Sequence, residues 1–267
     1  MTIGQWRTTP TGSSPAVAEL RRLLIEPSRL NRVNRTDRLI ALNNDEQHYL
    51  RRVLRLRSGD PLTVIDGAGR LWTAELDGPS DLVLSSPLDR PQESQSDPSP
   101  PLGLALALIR RGMEDAMRMG CELGVDRFQP LRMARCTPQA EHRPQRWRTV
   151  LREATEQCER LWCPQLLALQ DLHGWEPGNA AHVAFAVTRR GDVLSDQDWL
   201  TSLGDSKRPV WLVIGPEGGW TDAEINHAES LGWQPVSFGD QILRSSTASV
   251  RAAVSMVRWR EQVQLSS

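Results

Sequence analysis

Lysine is nearly absent from this sequence. Of the 32 basic residues among 267, 31 are arginine and Lys207 is the only lysine. A GC-rich coding bias would produce that by itself. Its physical consequence is that any phosphate contact must come from planar guanidinium forks, which grip oxyanions in a bidentate way. Long apolar runs are missing as well. The longest, over residues 104–109, falls far short of the ~20 residues a membrane span needs. The first twenty residues are polar and rich in Pro, Ser and Thr, so no secretory signal is expected. Cysteine is scarce. Cys121, Cys136, Cys158 and Cys163 contain no C-x-x-C pair and make no disulfide framework. With the five histidines scattered, no zinc or other metal site is expected. There is no G-x-x-x-x-G-K-[ST] loop and no G-x-G-x-x-G fingerprint, which argues against a P-loop enzyme and a Rossmann dinucleotide site. No internal repeat is visible. These absences leave a soluble, cytoplasmic protein as the expectation.

What is present is ordinary in bulk and uneven in detail. Hydrophobic residues make 39% of the chain, charged residues 24%, and the net charge is -1. This length suits one large domain or two small ones. Between residues 21 and 57, ten arginines face four acids. That excess is either a solvated face or the footprint of a nucleic acid. Residues 1–18 show no periodicity and are expected to be a disordered leader. Residues 20–25 read as a strand. Asn43, with Glu46 three residues on, forms a capping box. The helix it opens carries Tyr49, Leu50, Val53 and Leu54 on one face and Arg51, Arg52 and Arg55 on the others. Strands at 62–65 and 71–76 flank the turn Asp66-Gly67-Ala68-Gly69, a hairpin, and 82–84 reads as a further strand. Together they predict a small β-barrel over residues 19–88. Five prolines within 85–102 predict a linker holding no packed element, with its body at 89–102.

From residue 103 the pattern changes. Strands are predicted at 103–109, 182–187, 209–214 and 234–238, and helices at 113–123, 150–161, 221–231 and 246–259. The third helix opens on a second capping box, Thr221 to Glu224. This alternation argues for a parallel sheet with helices on both faces over residues 103–262, followed by a tail at 263–267. Two loops stand out. Gly215-Pro216-Glu217-Gly218-Gly219 joins a buried strand to a capped helix, where glycines admit a ligand to the backbone and the helix start offers free N–H groups. A tight turn of purely structural purpose satisfies the same residues. The second loop, 239–244, carries apolar Ile242 and Leu243 beside Arg244, either as core filling or as the wall of a pocket. Both loops end successive strands and could face one another across one crevice. Glu153, Glu156, Gln157 and Arg160 recur at i, i+3, i+4 and i+7 and read as a solvated stripe, with Glu156–Arg160 an i,i+4 pair.

In combination these segments resemble the RsmE family, the 16S rRNA uracil-N3 methyltransferases of the SPOUT (α/β-knot) class. The residues that carry the resemblance begin with His48, Val53-Leu54-Arg55-Leu56-Arg57-Ser58-Gly59-Asp60 and the 66–69 turn. Glu122-Leu123-Gly124-Val125, Arg135-Cys136, Arg146-Trp147, Glu153-Ala154, Glu156-Gln157-Cys158, Arg160 and Pro164 follow. The series closes with G-P-E-G-G at 215–219 and Ile242-Leu243-Arg244 ahead of Thr247-Ala248. The resemblance spans about residues 20–260. It implies a PUA-like RNA-binding barrel followed by an α/β domain with a trefoil-knotted chain. It also implies S-adenosylmethionine as cofactor, the small-subunit 16S rRNA as substrate at the uridine conventionally numbered 1498, and a homodimer. By the same resemblance, the cofactor would meet Val187, Thr188, Ile214, Gly215, Gly218, Gly219, Phe238, Gly239, Ile242, Leu243 and Thr247. Arg244 and Glu217 are the implied catalytic candidates, Glu217 with an alternative role of bracing the glycine loop. Arg51, Arg52, Arg55, Arg57, Arg111, Arg135 and Arg160 would contact RNA. The chain departs from the family pattern at Ser246, where glutamate is usual, at Met119 and Arg111, where lysine is usual, and at Cys136 and Cys158, where serine is usual. Other readings of the same fold are a SPOUT enzyme acting on tRNA or a ribose oxygen, and a non-catalytic RNA-binding or ribosome-assembly relative.

Overall fold

The computed structural model describes residues 20–33, 38–178 and 180–266. The expected leader at 1–18 lies outside them. The first region contains β1 (Arg22–Leu24), α1 (Pro27–Leu30), β2 (Leu39–Ala41), α2 (Asn44–His48), β3 (Pro61–Ile65), β4 (Arg70–Asp77), β5 (Asp81–Leu84) and β6 (Glu93–Ser94). Its sheet runs β1-β3-β4-β5-β2, with β6 also on β4. The β1–β3 pair is parallel and the others are antiparallel. Leu23, Leu50, Leu62, Trp72, Leu76, Leu82 and Leu84 fill the core between sheet and helix.

The expected hairpin and the Asn43–Glu46 capping box are both present, the box closed in both directions at 2.9 Å. The helix after it differs from the expectation. At Tyr49 it widens into a π-helical turn through Val53. The wider turn shifts the register of the apolar stripe. Val53 is left 58% exposed while Leu50 stays buried. The proline-rich stretch also differs, because β6 pairs with β4. Sheet pairing by backbone groups overrides a composition that looked unable to pack.

The second region contains β7 (Leu102–Ala107), α3 (Met113–Leu123), β8 (Arg127–Arg132), α4 (Pro144–Gln157), β9 (Gln165–Leu166), β10 (Gln170–Asp171), β11 (His182–Ala186), β12 (Leu194–Ser195), α5 (Asp196–Ser202), β13 (Val210–Ile214), α6 (Asp222–Ser230), β14 (Gln234–Ser237) and α7 (Ser245–Leu265). Its strands are all parallel, in the order β10-β8-β7-β13-β11-β14-β12, with β9 also on β8. One core, with α3, α4, α5 and α7, covers one face, and a tryptophan-rich core holding Trp175, Trp211 and Trp233 covers the other. Burial from both sides is why β7 and β13 are apolar at nearly every position.

Three boundaries move. α4 begins six residues earlier than expected, because Pro144 sits in its first turn, where a missing N–H costs nothing. It ends at Gln157, so Arg160 is not on the helix. α7 continues to Leu265 with Val263 buried, so residues 263–265 are part of a packed helix and not a tail. β8 and α5 had no clear signal. Gln129 and Pro130 interrupt the apolar run of β8, and α5 is a single short helix capped by Ser195.

Candidate active site

The carboxyl ends of β11, β13 and β14, three neighbours in the sheet, open onto one cleft of about 1050 Å³. One wall is residues 187–191, the second is residues 215–220, and the third is residues 237–243 with Ser245 and Ala248 of α7. This is where open parallel sheets bind ligands. The two loops expected to face one another do so.

The glycine loop is held from several sides. Trp220 donates its indole N–H to the Ala186 carbonyl at 2.9 Å, tying the loop to β11. Arg135 donates to the carbonyls of Trp220 at 2.9 Å and Gly218 at 3.4 Å. Glu217 accepts the Arg110 backbone N–H at 3.0 Å. Ser245 donates to the Gly215 carbonyl at 2.8 Å, joining the first turn of α7 to the loop. Behind the loop, Thr221 and Glu224 form the expected capping box, and Glu224 also accepts the Ala134 N–H at 2.8 Å. Gly218 is required by contact. A Cβ there would lie 2.8 Å from the Arg135 Cβ and 2.9 Å from its carbonyl oxygen.

Apolar Ile214, Phe238, Ile242, Leu243 and Ala248 share the cleft with Glu217, Asp222, Asp240 and Arg189. Gly219 and Gly239 have positive φ, and a Cβ on either would meet open space. The cradle therefore offers bare backbone, an apolar wall and carboxylates in a volume suited to a nucleoside-sized ligand. A cationic nucleoside such as S-adenosylmethionine fits that donor set.

Residues 96–257 match the model of the RNA methyltransferase domain, and residues 42–81 match that of the RNA methyltransferase PUA domain. The ribosomal RNA small subunit methyltransferase E of Synechocystis is 35% identical over 244 residues, covering 88% of this chain and 77% of the relative. The chain belongs to the RsmE family. The family's enzyme from Rickettsia conorii is 28% identical, over 82% of this chain and 89% of that one. The fold is also that of two solved structures, each 24% identical. An RsmE from Neisseria gonorrhoeae bound to S-adenosyl methionine has a TM-score of 0.73, over 89% of this chain and 97% of that one. A putative methyltransferase from Legionella pneumophila in complex with the same cofactor has a TM-score of 0.74, over 93% and 98%. The α/β domain is thus an RNA methyltransferase domain, preceded by a PUA-type domain.

Within this RsmE-family fold, ten of the eleven expected cofactor residues line the cleft: Val187, Thr188, Ile214, Gly215, Gly218, Gly219, Phe238, Gly239, Ile242 and Leu243. Thr247 does not. It is exposed, two residues into α7, and the lining passes from Ser245 to Ala248. Arg244 caps α7 between two lining residues, exposed and without a side-chain hydrogen bond or ion pair among the described residues. Glu217 lines the cleft while bonded to the Arg110 backbone.

The arginines expected on RNA divide. Arg52, Arg55, Arg57 and Arg111 are exposed. Arg51 is committed elsewhere, donating to the carbonyls of Gly78 and Pro79. Arg160 is likewise engaged, on the Cys121 and Val125 carbonyls at 2.8 Å and on Asp126 at 3.0 Å. Guanidinium forks with their donors used inside the fold are not free for phosphate, so both drop out as RNA contacts. Arg135 braces the glycine loop. The stripe on α4 is a solvated face only in part, since Glu153 and Gln157 are exposed and Glu156 is not. Glu156 accepts the Leu24 N–H at 2.8 Å, and burial pushes its carboxyl above the usual range. The expected Glu156–Arg160 pair is replaced by Arg152–Glu156.

The sequence reading missed Trp220, Ser245 and Arg189. Trp220 ends the glycine loop and Ser245 follows Arg244, so adjacency was the available signal. Arg189 lines the cleft with a left-handed backbone, φ 60°, which nothing in its sequence announces. Among the described residues no cluster of His, Cys, Asp and Glu fits a metal ion, and no helix is long and apolar enough to cross a membrane.

Proposed function

We propose that the protein transfers the methyl group of S-adenosylmethionine to N3 of a uridine in 16S rRNA of the small ribosomal subunit, at the position conventionally numbered 1498. The observation that supports it most is the cleft, where three adjacent strand ends bring glycine backbone and an apolar wall to one place, with Arg244 between the lining residues Leu243 and Ser245. The bound donor supplies an electrophilic methyl on a sulfonium. The chain's own residues orient and stabilise. Gly215, Gly218 and Gly219 present backbone, while Ile242 and Leu243 cover apolar surface. Uracil N3 carries an imide proton, and once it is lost to solvent the negative charge spreads to the flanking oxygens. Arg244 at the rim stabilises that oxygen charge. Glu217 acts by position, through Arg110, in keeping the glycine loop in place. Much of the rate then comes from alignment of N3 with the methyl.

RNA docks through Arg52, Arg55 and Arg57 of the first domain and Arg111 beside the cleft, with a steep salt dependence. The protein works in the cytoplasm, as a homodimer. Primer extension across the uridine, with and without this gene product, tests the reading directly. A stop that depends on the protein is expected, and its absence overturns the assignment. Calorimetry with S-adenosylmethionine separates an enzyme from a non-catalytic relative, because the latter would not bind it.

A further inference from the structure

The two domains meet along a seam built from hydrogen bonds as well as packing. The 66–69 turn reaches across it. Gly69 donates its N–H to the Leu161 carbonyl and Cys163 donates to the Gly67 carbonyl, both at 3.0 Å, so Ala68 and Trp162 form an antiparallel bridge between domains. Gly69 permits that approach, since a Cβ there would lie 2.7 Å from the Trp162 ring. The turn is set in advance by Asp66, which is buried and accepts from the Ala68 and Arg70 amides and the Arg70 side chain.

The second contact uses an exposed sheet edge. Residues 21 and 25 of the first strand's segment bond to β3, which leaves the Leu24 backbone facing outward. Side chains of α4 complete it. Glu156 accepts the Leu24 N–H, and Arg152 donates to the Leu24 carbonyl. Arg152 also reaches Glu46 at 3.4 Å, and Arg22 pairs with Glu159 at 2.9 Å. Glu46 is the capping-box carboxylate of α2, buried, and already paired with Arg29. One guanidinium from the methyltransferase domain thus spans strand β1, helix α2 and its own helix.

We propose that Arg152, with Glu46 and Glu156, is a positioning residue that fixes the RNA-docking domain at one orientation to the cleft, so that the span from Arg52, Arg55 and Arg57 to Arg244 is set before RNA arrives. The functional half of this inference rests on the reading of the cleft as an rRNA methylation site. A preset orientation spares the complex the cost of ordering two tethered modules on binding. Its loss acts on the rRNA substrate and leaves the small-molecule site alone.

Arg152→Ala is the test, because its head is one-third exposed and Glu46 keeps Arg29. The expected result is a rise of roughly tenfold or more in KM for the small subunit, with kcat and S-adenosylmethionine affinity unchanged. Arg152→Lys keeps the charge but not the fork, and is expected to restore part of the loss. Amide exchange on the intact protein reports the seam without any substrate. The Leu24, Gly69 and Cys163 amides are expected to be protected in the native chain and faster in Arg152→Ala, with those of β13 unchanged. Native exchange at loop rates, an unchanged KM, or equal losses in KM, kcat and cofactor affinity overturns the proposal. A native protein that methylates nothing but keeps protected seam amides would sink the functional reading and with it the KM prediction, while the fixed orientation stands.

Discussion

Residues 215–220 and residues 239–243 face each other across the same cleft, and they are held very differently. The glycine loop is bonded to β11 through Trp220, to the segment after β8 through Arg135, to the segment after β7 through Glu217, and to α7 through Ser245. The opposite loop has local bonds between Ser237 and Gly239 among the described residues, and it leaves Ile242 60% exposed. One wall is a finished cradle. The other presents apolar surface to water at the mouth, which costs free energy unless a ligand covers it. On the reading proposed for the cleft, the glycine loop sets where a ligand sits, and the 239–243 loop adds affinity when the ligand is present.

The largest test of this division is Arg244→Ala. An arginine whose side chain has no partner among the described residues carries no structural duty there, so the variant should melt with the native protein and bind the methyl donor equally well. Single-turnover methylation of the small subunit should nevertheless fall by about 10²–10³, the usual cost of removing one stabilising donor. An unchanged rate with donor bound would remove Arg244 from the chemistry. Gly218→Ala breaks the other wall. Its methyl meets the Arg135 main chain, which cannot yield without moving the segment after β8. Overpacking of this kind costs about 1–3 kcal/mol. The expected outcome is a lower Tm and donor affinity reduced by up to about a hundredfold, read by calorimetry. Equal affinity would mean that the cradle is not the donor site.

These walls also differ in how far the sequence disclosed them. G-P-E-G-G after an apolar run and before a capping box marked the cradle, because glycine requirements and caps are local. The facing arrangement of the two loops followed from parallel-strand order. What stayed hidden was non-local. Arg51 looked like a free cation and Arg160 like the i,i+4 partner of Glu156, and only the fold shows carbonyls occupying their donors. Glu156 looked solvated, and only domain contact brings the Leu24 amide to it. Val53 fell off the apolar face because a π-helical turn has no distinct hydrophobic period. Pairing of β6 could not be read from a stretch of prolines and polar residues, since backbone groups made the contact.

Ile242→Ser sharpens the contrast at moderate size. The side chain is exposed, so its loss should leave Tm within experimental scatter. If it covers the donor, part of the about 1.5–3 kcal/mol available from burying an isoleucine is lost on binding, and donor affinity should drop roughly tenfold. A fall in Tm instead would show that Ile242 belongs to the packing of the resting protein and that this loop is as settled as its neighbour.

Ser245→Ala carries the smallest expected effect and tests the hydrogen bond that links the first turn of α7 to the glycine loop. Ser245 lies buried at the start of α7, and its hydroxyl satisfies the Gly215 carbonyl at 2.8 Å. Removing the donor leaves that carbonyl without this partner, a loss of about 1 kcal/mol, seen as a small drop in Tm. The effect on donor affinity discriminates further. If the cradle is held by its other bonds, affinity should change only a few-fold. A large loss would mean that the cradle takes its shape from α7, and the two walls would then have to be treated as one unit closed by Ser245.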